Sequence, residues 1–167
     1  MHRPGPPAGP FHYRRPIEVR FADTDAMGHV NNAVYLSYFE MARAGYYHEV
    51  TGSTFGIGAT TGERSFILAE ARVTFDSPAR FGEPLLCEVR VGWYGRSSFS
   101  LEYRLSAGDS AFGRARLVAH GESVQVMYDY ASGRVNRLPD DLRAMVQAYE
   151  GHDIPARDAL GAAVEPG

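Results

Sequence analysis

Apolar and polar residues alternate from residue 69 to residue 128 almost without interruption, and a period of two held over so long a run permits little besides consecutive strands. Ala69, Ala71, Val73 and Phe75 face one way, and Glu70, Arg72 and Thr74 face the other. Leu85, Cys87, Val89 and Val91 form the next run, followed by Phe99, Leu101, Tyr103 and Leu105. "YGRSS" and "SAGDS" have the length and glycine content of hairpin turns, which makes these strands antiparallel. The last run changes phase, because Ala115, Leu117 and Ala119 are odd-numbered whereas Val124, Val126 and Tyr128 are even. A bulge near Gly121 is expected to reconcile them.

Ahead of these strands, Ile17, Val19 and Phe21 alternate with Glu18 and Arg20 as a first strand. From Asn32 the period changes. Leu36, Phe39, Ala42, Tyr46 and Val50 recur at steps of three and four, an apolar stripe on a helix of about 20 residues that Asn31 or Asn32 caps and Gly52 ends. A shorter helix over 138–150 opens with "LPDD". The expected class is α+β: a curved antiparallel sheet of about five strands wrapped around one long helix. Such a sheet buries one face on the helix and leaves the other to be covered by a second copy of the chain.

A content of 44% hydrophobic and 12% aromatic residues suffices for one core, placed at residues 14–150. Residues 1–13, rich in Pro and Gly, and residues 151–167, rich in small residues, read as flexible tails. A net charge of −3 gives no electrostatic reason to bind nucleic acid or an anionic membrane surface. No apolar stretch has the length of a membrane span, "MHRPGPPAGP" lacks the apolar region of a signal peptide, and the single Cys87 has no disulfide partner. A soluble, cytoplasmic protein is expected.

Strand and helix are joined by "FADTDAMGHVNN", residues 21–32. A carboxylate in such a loop either bonds nearby backbone N–H groups or does chemistry, and sequence alone leaves both readings of Asp25 open. Asp23 reads as structural, tying the turn or contacting a neighbouring arginine. Asp23, Asp25 and His29 have the donor types of a metal site, but no further His or carboxylate cluster completes a sphere, so no metal is expected.

"VRFADTDAMGHVNNAVYLSYFEMAR" (19–43), "ARVTFDSPARFGEPL" (71–85) and "GRSSFSLEY" (95–103) resemble the hot-dog-fold acyl-CoA thioesterases related to 4-hydroxybenzoyl-CoA thioesterase, over roughly residues 14–130. The resemblance implies a hot-dog fold, homodimers joined sheet edge to sheet edge or homotetramers, and active sites at the dimer interface. It implies hydrolysis of an acyl-CoA to free acid and coenzyme A, with Asp25 as general base or nucleophile and the backbone N–H of Asn32 as oxyanion donor. The chemistry is economical, because a thioester carbonyl is electrophilic and a thiol of pKa about 8.5 leaves as thiolate, so one base is enough. No cofactor is needed beyond the coenzyme A within the substrate.

"DAMGHVNN" is similar to a plant acyl-carrier-protein thioesterase motif in which an Asn and a His follow the Asp by two and four residues; His29 fits, but Met27 stands in place of the Asn. A bacterial branch places a Tyr four residues before the Asp and a His seven after it, where this chain has Phe21 and Asn32. By the same resemblance Arg96 meets the phosphates of coenzyme A, with Ser97 and Ser98 on the pantetheine and Tyr35 facing the acyl pocket. Arg80, Arg90, Arg114 and Arg116 are further candidates for phosphate, and the "GSTFGIGATTG" loop for gating. A hydratase or dehydratase, or a non-catalytic acyl-CoA or acyl-carrier-protein binding module, shares the fold.

Overall fold

The computed structural model describes residues 5–52 and 65–161. Strand β1 (Tyr13–Ile17) leads through a short 3-10 turn at Phe21–Asp23 and the polar loop into helix α1 (Val34–Thr51). Strands β2 (Phe66–Phe75), β3 (Leu85–Tyr94), β4 (Ser98–Ala107) and β5 (Arg116–Asp129) follow, then β6 (Arg134–Val135), α2 (Asp140–Glu150) and α3 (Arg157–Gly161). All pairings are antiparallel, in the order β1-β3-β4-β5-β2 with the short β6 on β5. The "GSTFGIGATTG" loop lies, except for Gly52, outside the described residues.

The core lies between α1 and one face of the sheet. Tyr35, Tyr38, Phe39, Ala42, Tyr46 and Tyr47 point inward from α1 onto Leu85, Cys87, Val89, Leu101, Tyr103 and Leu105. The buried stripe is rotated from the one expected: Leu36 is 46% exposed, and Tyr35 and Tyr38 take the inward positions. Their rings cover more apolar area than Leu36, and their hydroxyls reach partners at the edge of the core. The helix ends at Gly52, whose left-handed φ of 66° closes the last turn, as expected.

Gly121 differs from expectation in kind. The β5 register runs without a break from His120 to Val124 against β2 and β4, and the irregularities lie between Leu68 and Glu70 in the β2 pairing and between Leu105 and Ser106 in the β4 pairing. The apolar phase shifts because Ser123 and Gln125 face the core while Val124 and Val126 stay half-buried on the other side. Gly121 is instead a point of close approach. Phe39 stacks on Tyr103 with ring centres 4.5 Å apart, and a Cβ at Gly121 would lie 2.2 Å from the Arg72 carbonyl oxygen and 2.9 Å from Phe39 Cε2.

Both end segments pack on the domain. Phe11, 4% exposed, lies between the guanidinium groups of Arg90 and Arg104, which are 4.7 and 4.3 Å from its ring centre. The carbonyl of Pro155 accepts the Tyr94 N–H at 3.0 Å, and Arg157 lies over the Trp93 ring. Single anchors of this kind leave no periodic signal in a sequence. Among the described residues no helix is long and apolar enough to cross a membrane. Gly121→Ala is expected to lower stability by about 1–3 kcal/mol in urea unfolding, because backbone and ring must both give way to one methyl.

Candidate functional site

Asp23 fixes the loop that carries the candidate residues. Its carboxylate, 1% exposed, accepts the Arg20 backbone N–H at 3.0 Å, the Arg20 guanidinium at 2.6 and 3.0 Å, and the Tyr38 hydroxyl at 2.9 Å. Its carbonyl accepts the Asn31 N–H at 2.8 Å. One residue thus ties the end of the first strand region to both the far side of the loop and helix α1. The Arg20 hydrogen bonds hold the Asp23 carboxyl below the usual carboxylate range.

Within that frame Asp25 closes a tight turn. Its N–H donates to the His29 carbonyl at 2.7 Å, and its Oδ1 accepts the N–H groups of Met27 at 2.8 Å and His29 at 3.2 Å. Gly28 supplies the required φ of 77°. The structural reading of Asp25 therefore accounts for one carboxylate oxygen. Oδ2 has no hydrogen-bond partner among the described residues.

Asn31 starts the helix: its Oδ1 accepts the Ala33 N–H at 3.0 Å and its carbonyl the Val34 N–H at 2.9 Å. The Asn32 N–H has no acceptor among the described residues. It lies at the positive end of α1, where a developing negative charge is favoured. Asp25, His29, Asn32 and Tyr35 line one open cavity of about 310 Å³ together with Met27, Phe75, Asp76 and Pro78. The four residues picked out from the loop and helix start thus come together.

The far wall of the cavity was not legible in sequence. Phe75, Asp76, Ser77 and Pro78 arrive from the end of β2, some fifty positions along the chain from Asp25 and joined to it only by the fold. Asp76 is bonded to His120 Nδ1 at 2.7 Å. The segment beyond is pinned by Glu83, 3% exposed, which takes two bonds from Arg116 at 2.8 and 3.0 Å and the Arg80 N–H at 2.8 Å. Burial pushes the Glu83 carboxyl up, but the Arg116 bonds and charge outweigh it and leave it below the usual range. The Ala79 carbonyl in turn accepts the Val30 N–H at 2.8 Å, joining this wall to the loop that carries Asp25.

Of the four further arginines, Arg116 is held by Glu83, Arg90 pairs with Glu102 at 2.7 Å, Arg114 is exposed, and Arg80 donates to His29 Nε2 at 3.5 Å. Arg96, Ser97 and Ser98 form the β3–β4 turn, at the end of the sheet where Met127 bonds the Ser97 carbonyl and Phe66 pairs with Met127. The Asp25 cavity lies at the other end, where Phe75 pairs with Ala119. Eight strand residues at about 3.3 Å each separate the two ends by about 26 Å, so one chain does not bring Arg96 to Asp25. Among the described residues no three His, Cys, Asp or Glu side chains converge as metal ligands.

The profile of the thioesterase-like superfamily matches residues 19–146. Among solved structures, a thioesterase from Thermus thermophilus complexed with coenzyme A and Zn is 33% identical with a TM-score of 0.72, covering 86% of this chain and 98% of its own. A thioesterase superfamily protein from Jannaschia is 24% identical with a TM-score of 0.73, covering 88% of each chain. The 4-hydroxybenzoyl-CoA thioesterase of a Pseudomonas strain is 20% identical with a TM-score of 0.69, covering 79% of this chain and 96% of its own, a likeness of fold. A search of curated proteins gives no significant match. The architecture is the hot-dog fold, an antiparallel sheet around one long helix.

The Asp23 tie gives stability a defined pH dependence. The folded carboxyl titrates below its unfolded value of about 3.9, so its contribution is complete above that pH and is lost as pH falls through the folded value. In urea unfolding, Asp23→Asn is expected to be less stable than the wild type at pH 7, with the gap narrowing below about pH 4. Tyr38→Phe, which removes one bond to that carboxylate, is expected to cost about 1–3 kcal/mol.

Proposed function

The chain belongs to the thioesterase-like superfamily and is a thioester hydrolase, and we propose that it cleaves an acyl-CoA to the free acid and coenzyme A. The observation that carries this reading is the unpartnered Oδ2 of Asp25 in a cavity that also opens on the free N–H at the start of α1. Asp25 either attacks the thioester carbon, forming an anhydride that water then cleaves to free acid and regenerated carboxylate, or takes a proton from the water that attacks. The Asn32 N–H and the helix dipole stabilise the oxygen that becomes negative, and the thiolate leaves without an acid. His29, whose Nε2 accepts from Arg80, flanks Asp25 as an auxiliary of the site. Coenzyme A enters as part of the substrate, and the chemistry calls for no other cofactor.

The working form in this reading is a homodimer or a pair of dimers. Strand β2 pairs with β5, and among the described residues no second strand pairs with it. Ile67, Leu68 and Phe75 on that strand are 37%, 46% and 41% exposed. An edge so long and apolar asks for another strand. Two β2 strands paired antiparallel set the Arg96–Ser98 turn of one chain at the same end of the joined sheet as the Asp25 cavity of the other, as substrate phosphates and pantetheine require. Cys87 is fully buried and burial pushes its thiol pKa up, so it stays a protonated core thiol outside the chemistry.

Thiol release across a panel of aliphatic and aromatic acyl-CoAs tests the reaction and its specificity together. Asp25→Asn is expected to lower kcat by about 10²–10⁴-fold, with circular dichroism and sedimentation unchanged. Full turnover in that variant removes Asp25 from the mechanism.

A further inference from the structure

Two tyrosines one helical turn apart on α1 use their hydroxyls differently. Tyr38 donates to Asp23 at 2.9 Å and is thereby satisfied. The Tyr35 oxygen accepts the Ala79 N–H at 3.4 Å, and its own hydrogen has no acceptor among the described residues. The residue is 2% exposed, and its ring is fixed by an edge contact with Phe75 at 5.1 Å and by Tyr38 at 6.2 Å. Tyr35 lines the Asp25 cavity. A buried hydroxyl with an idle hydrogen at the wall of a reaction cavity is a donor waiting for an acceptor.

We propose that the Tyr35 hydroxyl is a second donor to the thioester carbonyl oxygen, beside the Asn32 N–H, which makes Tyr35 a catalytic residue and not merely a wall of the acyl pocket. The inference rests on the thioesterase reading above. Tyr35 and Asp25 line the same cavity without a hydrogen bond between them, and in this proposal the thioester carbon lies between the two. As the attacking oxygen bonds to that carbon, the carbonyl electron pair moves onto oxygen and the Tyr35 and Asn32 hydrogens hold it there. When the pair returns, the C–S bond breaks and coenzyme A leaves as thiolate. In the water route Asp25 takes the water's proton, and Tyr35 keeps its own throughout. Burial pushes the Tyr35 pKa up, so the donor hydrogen persists across the working pH range.

Tyr35→Phe removes one oxygen and keeps the ring, which separates donation from packing. Wild type, Tyr35→Phe and Asp25→Asn are compared in steady-state acyl-CoA hydrolysis, in binding of a non-hydrolysable thioether analogue of the best substrate, and in thermal melting. The expected result for Tyr35→Phe is a kcat lower by about 10²–10³-fold, with KM and analogue affinity close to those of the wild type and a melting midpoint lowered no more than in Tyr38→Phe, since the Ala79 N–H loses its acceptor. A kcat within threefold of wild type overturns the proposal, as does a loss of kcat matched by an equal loss of analogue affinity or accompanied by a fall in melting midpoint larger than that of Tyr38→Phe. Inactive Asp25→Asn with fully active Tyr35→Phe refutes the donor role alone. A wild type that hydrolyses no acyl-CoA refutes the proposal together with the reading beneath it.

Discussion

A single buried carboxylate holds the working part of this protein in place. Asp23 takes hydrogen bonds from Arg20 on one side and Tyr38 on the other while its carbonyl receives the Asn31 N–H, so strand, loop and helix meet at one residue. Burying an ion is costly unless its partners are complete, and here they are. With Asp23 saturated, the next carboxylate along the loop is free to do something else. Asp25 uses one oxygen to shape its own turn and turns the other toward the cavity.

The rest of the fold serves that placement from a distance. Glu83 and Arg116 clamp the segment after β2, and the Ala79 carbonyl passes the constraint to Val30 inside the Asp25 loop. Ala79 also gives its N–H to Tyr35. Loop, helix start and sheet end are therefore mutually braced, as a site requires if its donors are not to reorganise during reaction. Within one chain the Arg96–Ser98 turn lies at the far end of the sheet from the cavity, and in the proposed assembly a second chain paired along β2 brings its own turn there.

Much of this was readable along the chain, and the failures have physical causes. Period-two alternation located β2 to β5, and Gly52 ends α1 with a φ of 66°. The first strand, however, lies at Tyr13–Ile17, and Phe21, read as its inward residue, is 77% exposed in the 3-10 turn that follows. The helix stripe was assigned by hydropathy, which favours Leu36 over tyrosines whose hydroxyls find partners only after folding. The phase change in β5 suggested a bulge because Ser123 and Gln125 look like outward residues, yet they face inward, where Ser123 bonds Tyr103. Phe11 and Pro155 gave no signal, since each acts through one contact across the surface of the sheet.

The sequence by itself determined the order of strands and helices, the loop that carries Asp25, and the family resemblance, because alternation, turn residues and a short polar motif are local properties. Only the tertiary structure decided which oxygen of Asp25 is free, that Asp76 and Pro78 stand across from it, that Gly121 makes room for Phe39, and that Arg96 lies at the far end of the sheet. Each of these depends on segments distant in the chain that strand pairing brings together or holds apart. No local pattern encodes such a distance, which is set by the register of an antiparallel sheet around its helix.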